Sequence, residues 1–188
     1  MYLTQATIRE VEAKYGLPVE IVRAYELTPE QLAIVRLGQR HGRCHDVTLV
    51  IADGDQIVVT SKPSYPAGAY RTPSGGVEPG ETFEAGAARE AGEETGLEVV
   101  LERYLIRAQV RFSCGDTEVL WISHVMQARA VGGKLEPLDR REIVEAKWAS
   151  RSEILGPIRQ ALLASASPGL CYRADLDALA IERLGQKT

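Results

Sequence analysis

A chain of 188 residues with a formal net charge of −4, 45% hydrophobic and 26% charged, has the composition of one ordinary globular domain with helical additions. The acidic balance, a pI near 5.5, gives no general positive field for nucleic acid, so no nucleic-acid partner is expected. The polar opening "MYLTQATIREVEAKYG" lacks a secretory core, and the longest apolar runs, such as "VTLVIA" at 47–52, are strand-sized; a cytoplasmic protein with no membrane contact is expected.

In chain order, the first forty or so residues read as helical. "TIREVEAKYG" stops at Gly16 and Pro18, and "TPEQLAIVRLGQRHG" opens with Thr28 as N-cap, Pro29 at the first helical position and Gln31 placed for a capping box. Leu32, Val35 and Ile34 suit one buried face. From about residue 45 the period changes. "DVTLVIADGDQIVVTSK" is two β-rich runs around Asp53-Gly54, a hairpin signal. "YPAGAYRTPSGGVEPGE" is a Gly/Pro-rich loop leading into a helix that starts near Thr82. "LEVVLERYLIRAQVRF" and "TEVLWISHVMQARA" read as antiparallel strands joined at "SCGD", and a last short strand ends near Trp148. "RSEILGPIRQALLAS" and "DLDALAIERL" are helical, with Pro168-Gly169 between them. The expected organisation is a helical N-terminal extension at 1–42, a mixed α/β core at 43–150 and C-terminal helices at 151–188 packing on it.

Three cysteines, Cys44, Cys114 and Cys171, make no disulfide framework. His41, Cys44 and His45 lie close in "HGRCH" but lack a fourth zinc ligand at a recognisable spacing, and His124 in its strand reads as structural.

Charge is concentrated in "GGVEPGETFEAGAAREAGEETG", residues 75–96. Glu78, Glu81, Glu84, Glu90, Glu93 and Glu94 against Arg89 give −5, so the rest of the chain, at −4 overall, carries +1. Phe83, Ala87 and Ala91 form a narrow apolar stripe for close packing on a sheet. Glu90 with Glu94, and Glu90 with Glu93, repel at helical spacing near the helix C-terminus, where the dipole also disfavours negative charge. Gly86 and Gly92 weaken the helix further. Such a conflict between local propensity and structure marks a functional site. A divalent cation resolves it, since carboxylates are hard ligands suited to Mg²⁺ or Mn²⁺; Arg89 can pair with Glu93 or reach back to Glu81. The alternative is a solvated acidic face with Arg89 as a surface ion-pair partner.

The pattern Gly75, five residues, Glu81, seven residues, Arg89-Glu90-Ala91, one residue, Glu93-Glu94, one residue, Gly96-Leu97 resembles the signature of the Nudix hydrolase family. Ala91 stands where the family more often has a larger aliphatic residue, and the entry reads Pro73-Ser74-Gly75-Gly76 in place of proline-glycine-glycine. The resemblance implies an α/β/α sandwich with a mixed sheet, and Mg²⁺- or Mn²⁺-dependent hydrolysis of a nucleoside diphosphate linked to another moiety. It implies metal ligation by Glu90, Glu93 and Glu94 with the Ser74 carbonyl, and support of the loop–helix junction by Arg89 and Glu81 around Gly75 and Gly76. The general base is read as Glu142, with Glu90 and Glu145 as alternatives. Many relatives are homodimers, so a homodimer is allowed.

The segment "FSCG" at 112–115 has neither the proline typical of ADP-ribose pyrophosphatases nor the tyrosine typical of dinucleoside polyphosphate hydrolases. The extended motifs of NADH and coenzyme A pyrophosphatases are missing as well. Tyr70, Phe112 and Trp121 could stack on a base, and Arg71, Arg107 and Arg111 could meet phosphates, although packing and solvated roles are the commoner fates. Two alternatives stand beside the hydrolase: a nucleotide-binding sensor without turnover, and a prenyl diphosphate isomerase on the same fold, which would need an acid/base pair often including a cysteine.

Overall fold

The computed structural model describes residues 3–39, 42–165 and 167–186. Helix α1 (Gln5–Tyr15) is capped by the Thr4 side chain, which accepts from the Thr7 amide. Strand β1 (Val19–Glu26) follows, so the reading of residues 1–42 as wholly helical is corrected: β1 pairs in parallel with β5 (Leu97–Cys114), Val19 opposite Ile106. Its two faces are unequally covered and its partner lies some eighty residues away, so no local turn signal announces it. Helix α2 (Pro29–Gly38) has the expected capping box between Thr28 and Gln31. Leu32 is buried in the core of the chain and Val35 packs against it, but Ile34 is 68% exposed and does not belong to the buried face.

Strands β2 (His45–Asp53) and β3 (Gln56–Ser61) meet at the Asp53-Gly54 turn for only two residue pairs and then diverge. β2 continues beside β6 (Thr117–Gly133), and β3 pairs with β7 (Glu145–Ser150). The long β5–β6 hairpin is antiparallel, with three register shifts along β5. The seven-stranded mixed sheet runs β1-β5-β6-β2-β3-β7, and the two-residue β4 (Ser74–Gly75) pairs with β2.

Alternation along β2 divides the core. Val47, Leu49 and Ile51 face one way, with α1 and α3 (Phe83–Thr95); Val50 faces the other, with α2 and the C-terminal helices. The protein is therefore an α/β/α sandwich. After β7 come α4 (Arg151–Glu153), a π-helical turn (Ile154–Ile158) bent at Gly156-Pro157, α5 (Arg159–Ala164) and α6 (Pro168–Leu184). Pro168-Gly169 does not separate the two helices, as expected from sequence, but opens α6: proline at the first helical position needs no amide partner.

Candidate active site

Helix α3 is set close to the sheet by its stripe. Phe83, Ala87 and Ala91 are at most 1% exposed, and a Cβ on Gly86 would lie 3.0 Å from the Val77 Cα. Gly92 faces open space, and nothing in the structure requires glycine there. The helix ends on Gly96 in the left-handed conformation (φ 75°), whose amide donates to the Gly92 carbonyl.

Arg89 joins loop to helix. Its Nε and Nη2 donate to Glu81 (2.8 and 3.1 Å), Nη2 also to the Gly76 carbonyl (2.7 Å), and Nη1 to Glu90 (2.9 Å) and Glu93 (3.0 Å). These bonds hold the Glu81 carboxyl below the usual carboxylate range. Glu90 reaches under the loop and accepts from the Gly76 amide at 3.0 Å. Gly75 permits that approach, since a Cβ there would sit 1.8 Å from the Glu90 carboxyl carbon. Burial pushes the Glu90 carboxyl up, with Arg89 countering only in part and Glu94 and Glu93 adding to the rise.

Glu94 is the most enclosed of the set. Its side chain is 3% exposed and accepts from Arg71 Nη2 (2.9 Å) and from the Ser74 amide (2.9 Å), with Lys62 Nζ at 3.9 Å. Arg71 is thus not a solvated loop residue: it lines the cleft described below and is the equally buried partner of Glu94, a role that sequence reading missed. Its neighbour Thr72 is pinned by α6: Asp177 accepts from the Thr72 hydroxyl (2.6 Å) and amide (3.3 Å). Arg107 pairs with Glu12 and Glu20, and Arg111 with Glu118, so both serve other ion pairs.

Glu142 is brought to the site. It pairs with Lys62, the lysine that also approaches Glu94, and lines a cleft of about 450 Å³ with Lys62, Ser74, Gly75 and Glu90. Glu145 instead accepts from the Tyr70 hydroxyl at 2.6 Å, and Lys147 lies over the Tyr70 ring. Neither Tyr70 nor Glu145 lines the cleft, nor does the half-exposed Glu93. The rest of the lining comes from Val35 and Gly38 of α2, Arg43 just before β2, Phe112 of β5, Trp121 of β6, and Tyr172 and Arg173 of α6. Arg43 stacks on Trp121, 5.8 Å from the ring centre. These α6 residues carried no motif, and only the fold reveals them.

Cys44 is exposed and Cys114 partly so, and neither lines the cleft, which leaves the isomerase alternative without its thiol. Of the zinc candidates, His41 lies outside the described residues and His45 is buried beside His124. His124 meets the Tyr104 hydroxyl through Nδ1, a structural contact.

Among the described residues, no three His, Cys, Asp or Glu side chains already converge as a metal cage. The donor chemistry nevertheless fits a hard divalent cation. Glu90 and Glu94 are sequestered carboxylates on successive turns of α3, and the Ser74 backbone flanks them across Gly75.

The NUDIX domain family matches residues 42–166, well over half of the chain. The chain belongs to the Nudix family. Two curated relatives, each named "NAD-capped RNA hydrolase NudC", are 32% identical: that of Photobacterium profundum over 111 residues and that of Vibrio vulnificus over 115. The matches cover 57% and 60% of this chain but only 38% and 40% of those relatives, so the chain spans about two fifths of their length. Among solved structures, a NUDIX hydrolase from Nitrosomonas europaea aligns with a TM-score of 0.54 at 24% identity, covering 74% of this chain and 86% of that one. An ADP-ribose pyrophosphatase from Streptococcus suis 89-1591 aligns at 0.52 with 18% identity, covering 77% and 93%. These two share the Nudix fold described above.

Proposed function

We propose that this chain is a cytoplasmic hydrolase that cleaves the pyrophosphate link of a nucleoside diphosphate joined to another moiety, using Mg²⁺ or Mn²⁺. One observation carries the reading: Glu90 of α3 and the Glu142–Lys62 pair line one cleft that continues into cationic and aromatic walls, with Glu94 held by Arg71 and the Ser74 amide, both of which belong to residues of the same lining. Glu90, Glu93 and Glu94, with the Ser74 carbonyl, would hold the metal. Such an ion would supply positive charge against the phosphate oxygens and would lower the pKa of a water at the site.

The protein's own groups then have separable tasks. Arg89 fixes the loop against α3, so that Glu90 and Gly75 keep their close approach. Arg71 holds Glu94 in one orientation with its charge balanced. Lys62 and Arg43 face incoming phosphates as fixed positive charge. Glu142 takes the proton of the attacking water; the new P–O bond forms as the bond to the bridging oxygen breaks, and two phosphomonoesters leave. Its pairing with Lys62 keeps the Glu142 carboxylate beside the cleft.

The test is incubation with Mg²⁺ and with Mn²⁺ against nucleoside diphosphate sugars, dinucleotides, nucleoside triphosphates and, because of the relatives' name, an NAD-capped RNA. Released phosphomonoesters are quantified for wild type and Glu90→Gln. Metal-dependent cleavage lost in Glu90→Gln is expected. Nucleotide binding without cleavage anywhere in the panel would identify the sensor instead.

A further inference from the structure

The cleft changes character at Arg43, from carboxylates on one side to bare apolar surface on the other. A Cβ on Gly76, whose amide is bonded to Glu90, would lie 2.0 Å from Arg43 Nη1, so the guanidinium rests against the signature loop. Arg43 Nε donates to the carbonyl of Gly38, the last residue of α2, at 3.1 Å, and the guanidinium lies over the Trp121 ring. A Cβ on Gly38 would in turn come 3.7 Å from the edge of that ring. Glu90, Gly76, Arg43 and Trp121 thus follow one another in contact.

Beyond Arg43 the lining consists of Ile34, Val35, Gly38, Phe112 and Trp121. Phe112 is braced from behind by the rings of Tyr25 and Tyr172, each 6.0 Å away. Ile34 is 68% exposed although it sits in a cleft that also holds an indole, and the packing of α2 on the core does not use it. Apolar surface left open beside a charged site favours an occupant with an apolar face of its own. The four side chains of this wall carry one polar group, the indole N–H, so a sugar placed here would leave its hydroxyls without partners. A nucleobase would not: its face meets aromatic and aliphatic carbon while its polar edges can stay in water.

We propose that this wall receives the base of the nucleoside half of the substrate. Trp121 and Ile34 are its contacts, Arg43 stands where base and diphosphate meet, and the other moiety lies on the Lys62 side. Recognition by face and not by edge makes the wall indifferent between adenine and guanine and weaker for the smaller pyrimidines. The assignment deepens the hydrolase reading and rests on it for its place in a reaction; base binding itself does not.

The probes are the methylene analogues of ADP, GDP and CDP, whose bridging oxygen is replaced by carbon, with methylenediphosphonate as the control that has no nucleoside. All are titrated with Mg²⁺ present, so that the metal can bind and the link cannot be hydrolysed. The chain has two tryptophans, and Trp148 does not line the cleft, so in a Trp148→Phe background the fluorescence reports Trp121. The purine analogues are expected to quench it and the control to leave it unchanged. By calorimetry, the two purine analogues are expected to bind within about threefold of each other and several-fold tighter than the CDP analogue. Trp121→Leu is expected to weaken the ADP analogue about tenfold, and Ile34→Ser about threefold, with the control unaltered in both. Ile34 is a surface side chain, so its variant reads binding even where Trp121→Leu is poorly folded. A nucleoside analogue that binds no tighter than the control, an unquenched Trp121, or equal affinity for purine and pyrimidine overturns the assignment. Equal losses for analogue and control in Ile34→Ser do so too, because the wall would then act on the phosphates. Base binding on Trp121 in a protein that cleaves nothing leaves the wall standing and removes the hydrolase; cleavage with analogue affinity unmoved in both variants does the reverse.

Discussion

Arg71 and Glu94 are each 3% exposed and joined at 2.9 Å, so either one alone would be an uncompensated buried charge. Removing one partner of such a pair typically costs about 3–5 kcal/mol, while replacing both by apolar groups of similar volume is often neutral. Arg71→Ala is therefore expected to lose roughly that much stability in urea titration, and the double variant Arg71→Met, Glu94→Leu to recover most of it while remaining inactive. A single variant as stable as wild type would mean that the pair is solvated. Glu90 makes the complementary case. Its carboxyl is pushed up by burial, so its stability contribution is full below the unfolded value and is lost as pH rises through the folded one. At neutral pH the ionised form strains the metal-free fold. Glu90→Gln, which can still accept from the Gly76 amide, is expected to match or exceed wild type in melting temperature in EDTA. Added Mg²⁺ should raise the wild-type value and leave the variant behind; equal shifts in both would remove Glu90 from the metal site.

Helix α6 acts on the site from outside the signature. The Asp177 carboxylate, 2% exposed, takes both the hydroxyl and the amide of Thr72, two residues before Ser74. Asp177→Ala strips two buried donors of their acceptor, each loss costing about 1–3 kcal/mol. The expected outcome is a lower urea midpoint together with a fall in kcat/KM, because the Arg71–Ser74 segment loosens; wild-type kcat/KM in a destabilised variant would show that the segment holds its place without α6. Nothing in "DLDALAIERL" announces this contact. What could be read from sequence was local: the capping box at Thr28, the hairpin turn at Gly54, and the stripe Phe83, Ala87, Ala91 that seats α3. What could not be read depends on distant pairing. Strand β1 exists because β5 offers it an edge, and Arg71 looks like any loop arginine until Glu94 arrives from twenty-three residues downstream. Glu142 could be chosen over Glu145 only weakly from sequence. The strand geometry separates them by sending Glu145 to Tyr70 and Glu142 to Lys62.

At the scale of the whole molecule, the two sides of the sandwich share a polar seam that carries a pH liability. His45 and His124 are buried side by side on β2 and β6, with Phe83 edge-on to His124 and Asp46 and Arg43 facing His45. Burial pulls their imidazoles down from the ordinary 6.5 to about 4 and about 3, and the repulsion of one by the other adds to the effect at His124. Both values are depressed, so the unfolded chain takes up protons below pH 6.5 that the folded chain refuses. Stability is thus complete above about pH 6.5 and falls through the window down to about pH 4 for His45 and about pH 3 for His124. At pH 5, a group fully resisting protonation costs about 2 kcal/mol relative to pH 7.5. His124→Gln keeps a side chain able to meet the Tyr104 hydroxyl and removes one of the two titrations. Its loss of unfolding free energy between pH 7.5 and pH 5 should be smaller than that of wild type by about 2 kcal/mol. Parallel declines in the two proteins would show that His124 accepts its proton within the fold, and that the seam opens to water before the domain unfolds.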